Sequence, residues 1–259
     1  MASSIIAGLL EQGVPANRLR ASDPSADSLA RLGELGDITT SADNREIVTG
    51  ADVVVLAVKP QVMEAAAASI RDVIEPDAIV ISIAAGITLA SLEKTLGAQL
   101  AIVRCMPNTP ALLRQGASAL YANVATGQSQ REAAQAILEA VGSVSWVPGE
   151  ADLDAVTALS GSGPAYFFLF MEALVEAGVR QGLDRNTAHR LTLQTGLGAA
   201  MMAADSELGL AELRRRVTSP GGTTERAVQS FEAAGIRDLV DAAVDAAAVR
   251  SRELAGEME

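Results

Sequence analysis

Three observations predict an α/β chain in which a doubly wound parallel sheet is followed by an all-helical part. Residues 1–149 alternate apolar runs of strand length with helical segments, the pattern of a sheet covered on both faces by crossover helices. From about residue 150 the strand-like runs stop and 3.6-residue periodicity takes over, so residues 150–259 form a second, helical domain. Between two of those later helices lies Thr-Ser-Pro-Gly-Gly-Thr-Thr, residues 218–224, built to end in exposed backbone amides.

The elements follow in order. Residues 2–12 read as a helix stopping near Gly13, and Leu19–Ala21 as a short strand ending at Ser22-Asp23-Pro24. Ala51-Asp52-Val53-Val54-Val55-Leu56-Ala57-Val58 is nearly all apolar, as in a parallel strand buried on both faces, and it ends at Lys59-Pro60. A helix over 62–74 leads to a second such strand, Ala78–Ala85, closed by Gly86. A helix over 88–96 precedes a strand over 99–105 that ends in Met106-Pro107-Asn108-Thr109-Pro110. Shorter strands near 118–123 and 144–147 flank a helix over 129–141. Ligands of such sheets sit at the carboxyl ends of the strands, where Asp23, Lys59, Gly86 and Asn108 all fall. The helical part predicts helices over 151–159, 164–181, 185–204, 210–217, 222–234 and 236–256, with Asp184 as an N-cap and Gly182 and Gly235 as stops.

Composition narrows the partners. Hydrophobic residues make up 49% of the chain but aromatics only 3%, so alanine, leucine and valine must fill the core. The net charge of −12 argues against a nucleic acid, whose phosphates need a basic face. A small anionic ligand would then depend on helix N-termini. Cys105, the single cysteine, excludes an internal disulfide and fits a reducing, cytoplasmic setting. Residues 1–10 lack the charged start of a signal peptide. Ala165–Val179 is apolar but interrupted by Glu172 and Glu176, shorter than the ~20 residues of a bilayer span, so no membrane partner is expected. The helix from 164 carries Phe167, Phe168, Phe170, Met171, Leu174 and Val175, apolar nearly all round. Such a helix is buried on every side; a second copy of the chain is the expected cover, its own chain the alternative.

In the 218–224 segment Ser219 can cap, Pro220 suits an early helical position, and Gly221 and Gly222 let a backbone approach a ligand. The first amides of the following helix point outward at the positive end of its dipole, which suits a carboxylate or phosphate without any basic side chain. Thr223 and Thr224 add hydroxyls. Taken alone, these residues also read as a plain capped turn.

Five segments in this order make the chain closely similar to pyrroline-5-carboxylate reductases: Ala57-Val58-Lys59-Pro60, Ala84-Ala85-Gly86, Arg104 to Pro110, Leu159-Ser160-Gly161-Ser162-Gly163-Pro164-Ala165-Tyr166, and Val217 to Thr224. The resemblance covers essentially all 259 residues. It implies a Rossmann-like dinucleotide-binding domain, N-terminally incomplete, then a helical dimerisation domain, in homodimers that assemble further into decamers. It implies hydride transfer from NADPH or NADH to the C=N carbon of 1-pyrroline-5-carboxylate, giving L-proline. Met1-Ala2 matches the end of the family's Gly-Asn-Met-Ala turn, and the strand and Gly-x-Gly-x-x-Gly that precede it in the family are not in the sequence. The expectation is that the natural reading frame extends upstream.

The resemblance also assigns roles. The substrate carboxylate would lie on the amides of Gly222, Thr223 and Thr224, with Ser219 and Gly221 shaping the corner and the Thr224 hydroxyl at the ring nitrogen as the catalytic contact. Glu150 and the Ser160-Gly161-Ser162-Gly163 loop would border the same pocket. Met1, Ala2, Asn44, Ala57, Val58, Lys59, Pro60, Ala84, Ala85 and Asn108 would line the cofactor. Asp23, an acid at a strand end, would bond the adenosine ribose and favour NADH, or simply serve as a turn residue before Pro24. No cluster of His, Cys and carboxylates suggests a metal. His189 reads as a surface or interface residue, Lys59 as a partner of the diphosphate, and Cys105 as a small buried hydrophobe. Two rivals remain: a chain that oligomerises without binding dinucleotide, and a related hydroxyacid dehydrogenase. The second is disfavoured because the only lysines, Lys59 and Lys94, lie in the sheet half.

Overall fold

A computed structural model describes residues 1–257. Helix α1 (Ala2–Glu11) leads to β1 (Arg20–Ser22), α2 (Ala26–Gly33), β2 (Thr39–Ser41) and α3 (Asn44–Val48). Then come β3 (Val53–Leu56), α4 (Met63–Ile70), β4 (Ile79–Ser82), α5 (Leu89–Leu96), β5 (Ala101–Met106), β6 (Gly116–Ala122), α6 (Gln128–Glu139) and β7 (Gly142–Trp146). The helical part is α7 (Asp152–Val156), a π-helical turn (Thr157–Gly161), α8 (Gly163–Arg180), α9 (Arg185–Ala204), α10 (Leu210–Arg216), α11 (Thr223–Ala233) and α12 (Ile236–Gly256).

The strands form two sheets. β1 and β2 pair in parallel, and the larger sheet runs β3-β4-β5-β6-β7. The sheet is doubly wound, as expected, and the two-residue alternation of strand side chains shows it. Val54, Leu56, Val80 and Ile102 face α4 and α5 through Met63, Ala67, Ile70, Leu89 and Leu92. Their neighbours Ile79, Ile81, Val103 and Cys105 face the other way, onto Ile5 of α1 and Ala134 and Leu138 of α6. A smaller cluster of Ile6, Leu32 and Ile38 packs with Leu19 and Ala21, so α1 serves both sheets through adjacent residues.

The expected all-parallel order fails at one strand: β6 runs antiparallel to β5, with Cys105 opposite Leu120. A parallel return needs a crossover of a dozen or more residues. Met106 and Gly116 are joined instead by a short 3₁₀ segment, Thr109–Leu113, ending with Arg114 in the left-handed region at φ 57°. The short elements between Asp23 and Ala51 were not anticipated. They are marked by caps: Ser25 Oγ accepts from Ser28 N and Asp43 Oδ1 from Arg45 N.

Contacts divide the chain into two compact units, Met1–Ser162 together with the chain from Ala246, and Gly163–Asp245. In the first, the end of α12 returns to the sheet: Ser251 Oγ donates to Asp154 Oδ1 at 2.7 Å, and a Cβ on Gly86 would stand 3.6 Å from the Leu254 carbonyl. In the second, α8 and α9 pack where Val175 and Ala188 are buried and Gly178 lets them close. Asp184 caps α9, as expected, accepting from Thr187 N at 3.0 Å. The helical run that carries the apolar stretch is longer than expected. Helical structure spans Asp152–Arg180, 29 residues, long and apolar enough by length and composition to cross a membrane. Only 17% of its most apolar window is buried.

Candidate active site

The carboxyl ends of β3 and β4 lie side by side, with Leu56 opposite Ser82. Beyond them Ala57, Lys59 and Ala85 are exposed, Val58 and Pro60 are half-buried, and Ala84 is buried. Gly86 turns the chain away at φ 76°. At the end of β1, Asp23 Oδ1 accepts from Ser25 N at 2.8 Å, the turn-forming role that Pro24 suggested. Asn44 bridges two elements: Ser22 Oγ donates to its Oδ1 at 2.7 Å, and its Nδ2 donates to Ser69 Oγ at 3.4 Å. Met1 and Ala2, half-buried, begin α1. Met1 O accepts from Ser4 N and Ile5 N.

Glu150 is held from two sides. Its Oε1 accepts from Leu89 N, at the start of α5, at 2.7 Å and from Arg104 Nη1 at 2.6 Å. The carboxylate thus sits at a helix N-terminus with a guanidinium beside it, two favourable terms for an anion. The Arg104 side chain is only 12% exposed. Sequence reasoning missed Arg104 as a functional neighbour, although a lone charge within the buried strand β5 was a signal, since a buried cation needs a partner.

Ser160 and Gly161 close the π-helical turn, in which Ser162 N donates to Thr157 O at 2.8 Å. Ser160 Oγ donates to Val156 O at 3.0 Å. Gly161 lies against Met106: a Cβ there would come within 2.4 Å of the Met106 methyl. Asn108 ties this turn to the sheet. Its Nδ2 donates to Ser160 O at 3.0 Å while its Oδ1 accepts from Ala117 N, at the start of β6, at 2.8 Å.

In the second unit, the Ser219–Thr224 corner forms but is capped differently from the expectation. The N-cap of α11 is Gly222, not Ser219, and Pro220 stands before the helix. Gly221 adopts φ 73°, which only glycine takes easily, and Gly222 N donates to Ser219 O at 3.0 Å. This turn consumes the positions where Ser219 would have capped. A glycine N-cap has no side chain to satisfy the first amides of the helix, so those of Thr223 and Thr224 face outward at the positive end of the dipole. Both threonines are exposed. Glu225 Oε2 accepts from Gly221 N at 2.8 Å, an acid in the first turn that sequence reasoning overlooked.

Among known proteins, a pyrroline-5-carboxylate reductase of Pseudomonas aeruginosa is 56% identical over 258 residues, covering 100% of this chain and 94% of that protein. The chain belongs to the pyrroline-5-carboxylate reductase family. A pyrroline-5-carboxylate reductase of Pasteurella multocida is 42% identical over 258 residues, with 98% and 94% covered. Residues 150–254 match the family model described as pyrroline-5-carboxylate reductase dimerisation, and residues 1–86 one described as NADP oxidoreductase, coenzyme F420-dependent. The solved pyrroline-5-carboxylate reductase of Coxiella burnetii superposes with a TM-score of 0.95 at 44% identity, covering 98% of this chain and 94% of that one. The Plasmodium falciparum structure, solved with NADP bound, gives 0.84 at 30% identity over the same shares.

The donor set suits a pyrroline-5-carboxylate reductase. Small residues at the ends of β3 and β4 leave room for a flat ring and a ribose, and the exposed Lys59 ammonium suits a diphosphate. Among the described residues no group of three His, Cys, Asp or Glu side chains is placed to hold a metal ion. His189 is exposed on α9.

Proposed function

We infer that this chain reduces 1-pyrroline-5-carboxylate to L-proline with NADPH or NADH, the last step of proline biosynthesis. One observation carries the reading: identity of 56% to a protein of that name along the whole chain, which includes the Ser219–Thr224 corner. When bound, the dinucleotide supplies the hydride; the protein's task is to hold two rings face to face.

The residues of the chain divide the remaining work. The outward amides of Thr223 and Thr224, with that of Gly222, grip the substrate carboxylate, which explains how an acid binds a chain of net charge −12. Ser219 and Gly221 set the shape of that corner. The Thr224 hydroxyl holds the ring nitrogen. As hydride adds to the imine carbon, the C=N electron pair moves to nitrogen, which takes up one proton at the position Thr224 controls. Glu150 and the Ser160–Gly163 turn are substrate-binding residues in this reading. Met1, Ala2, Asn44, Ala57, Val58, Lys59, Pro60, Ala84 and Ala85 line the dinucleotide, and Asp23 stands at its adenosine ribose, which tilts the choice toward NADH.

The working form is a homodimer, and dimers assemble into decamers. The apolar flank of Asp152–Arg180 meets a second copy of the chain rather than a bilayer, and a buried lone thiol suits a reducing cytoplasm. The test is oxidation of NADPH and of NADH by the purified chain, followed by the absorbance of the reduced nicotinamide. Consumption that requires 1-pyrroline-5-carboxylate and yields proline supports the reading. Dinucleotide binding without turnover, or no binding at all, overturns it.

A further inference from the structure

We propose that Asn108 is a positioning residue for the substrate, acting through the Ser160 carbonyl rather than on the dinucleotide. The proposal rests on the reading above in one respect only, that the Ser160–Gly163 turn borders the substrate.

The argument begins with a missing hydrogen bond. In a helix continuing with ordinary spacing, the carbonyl of Ser160 would accept from the amide of residue 164. That residue is Pro164, which has no N–H. A carbonyl left without a donor in a half-buried place is destabilising, and helices meet such gaps by bending, bulging or admitting a side chain. Here both devices appear. The chain widens into the π-helical turn Thr157–Gly161, and Asn108 Nδ2 donates to the Ser160 carbonyl at 3.0 Å.

The other end of the same amide is also fixed. Asn108 Oδ1 accepts from Ala117 N at 2.8 Å, on the first residues of β6. With donor and acceptor both engaged, the side chain is clamped in orientation between the sheet and the turn. Gly161 completes the clamp by lying against Met106, two residues before Asn108. The segment Met106–Asn108 therefore touches the turn at two consecutive residues, Ser160 and Gly161. π-Bulges of this kind are frequent at functional sites, because they re-aim one residue without ending the helix. Each polar atom of the side chain already holds a backbone partner, so the orientation of the whole carboxamide is set by the protein rather than by a dinucleotide.

The proposal makes Pro164 and Asn108 energetically coupled, which gives the test. Asn108→Asp keeps an acceptor for Ala117 N but sets an oxygen against the Ser160 carbonyl. It should raise KM for 1-pyrroline-5-carboxylate about tenfold, the scale of one lost hydrogen bond, with the Kd for NADPH changed less than about twofold. Pro164→Ala restores an amide at position 164. Added to Asn108→Asp, it should return KM to within about threefold of Pro164→Ala alone, a coupling read by the double-mutant cycle. Hydrogen exchange across residues 157–165 should quicken in Asn108→Asp and slow again in the double variant, independently of turnover. If Asn108→Asp is insoluble, Pro164→Ala should recover soluble protein. A weakened NADPH Kd with unaltered KM, or a double variant no better than the single in KM, exchange or solubility, overturns the proposal. Failure of the wild-type chain to reduce the imine is a different result, and it sinks the functional reading instead.

Discussion

Thr224 is the side chain that the proposed reaction needs most, and its surroundings make the need specific. It stands second in a helix whose cap is a glycine, so carboxylate recognition by amides survives any change of its side chain. Thr224→Ala should therefore spare most substrate binding and lower kcat/KM by about 1–3 kcal/mol, the loss of one hydrogen bond to a developing charge. Thr224→Ser should retain most activity, and steady-state NADPH oxidation distinguishes the two. Unchanged kinetics in the alanine variant would remove Thr224 from the mechanism. Cys105 makes the opposite point. Burial pushes its thiol up to about 12, from an ordinary 9.0, against a smaller lowering from Ser118. At pH 8 about one molecule in ten thousand carries the thiolate. The folded protein should release no chromophore from a disulfide reagent at that pH and react fully once unfolded in guanidinium. The sign for stability follows: with the folded value raised, the contribution is complete below 9.0 and is lost as pH climbs toward 12. Residue types and motifs made these positions visible beforehand. What they hid was partnership. Glu150 was visible but its Arg104 and Leu89 partners were not, and Asn108 was visible but not its grip on Ser160, because such pairs are set by which strand ends the fold brings together.

Among the elements, the β6–β7 pair shows how narrowly the sheet tolerates its own sequence. Gly116 and Gly142 are opposed in parallel register. A Cβ on Gly142 would stand 2.0 Å from Gly116 O and 2.4 Å from Gly116 N, and these are backbone atoms that cannot rotate aside. Gly142→Ala should cost about 3 kcal/mol, a fall in melting temperature on the order of 10 °C, visible by circular dichroism or as insoluble protein. A variant as stable as wild type would mean that β6 and β7 do not approach as described. Nearly every long element could be read from apolar runs and caps, from α1 to α12. The failures have separate causes. β2, α2 and α3 are three, eight and five residues long, too short for periodicity to rise above chance. The reversal of β6 depends on the length of a connection, not on the strand's own composition, which reads alike in either direction. The cap of α11 moved from Ser219 to Gly222 because Gly221 can take a positive φ, a freedom that leaves no mark in a hydrophobic pattern.

For the whole molecule the decisive quantity is apolar surface without cover. Phe167, Phe168 and Leu169 are 66–67% exposed and Phe170 is 46% exposed. Four consecutive helical residues point in directions spanning about 300°, so α8 is open nearly around its axis rather than along one stripe. Leu191, Leu197, Met201 and Met202 of α9 add to the same condition. Within the unit Gly163–Asp245, α8 and α9 bury only Gly163, Val175 and Ala188, and α10 and α11 bury no residue. The alternative, cover by the helix's own chain, is not met within this unit. Patches of this extent on soluble proteins mark association surfaces, and helices that bury so little within one chain gain their stability from the second. The match of residues 150–254 to a dimerisation family points to the same conclusion by a separate route. Light scattering coupled to size exclusion should give a multiple of the 26.6 kDa chain mass. Phe168→Asp places a carboxylate where a partner would have to desolvate it, a cost large enough to break most interfaces. Its particle mass should fall toward a single chain, with concentration-dependent recovery and a lowered melting temperature. A wild-type mass of one chain, or a Phe168→Asp variant that assembles unchanged, would show that the aromatic face of α8 is not where the copies meet.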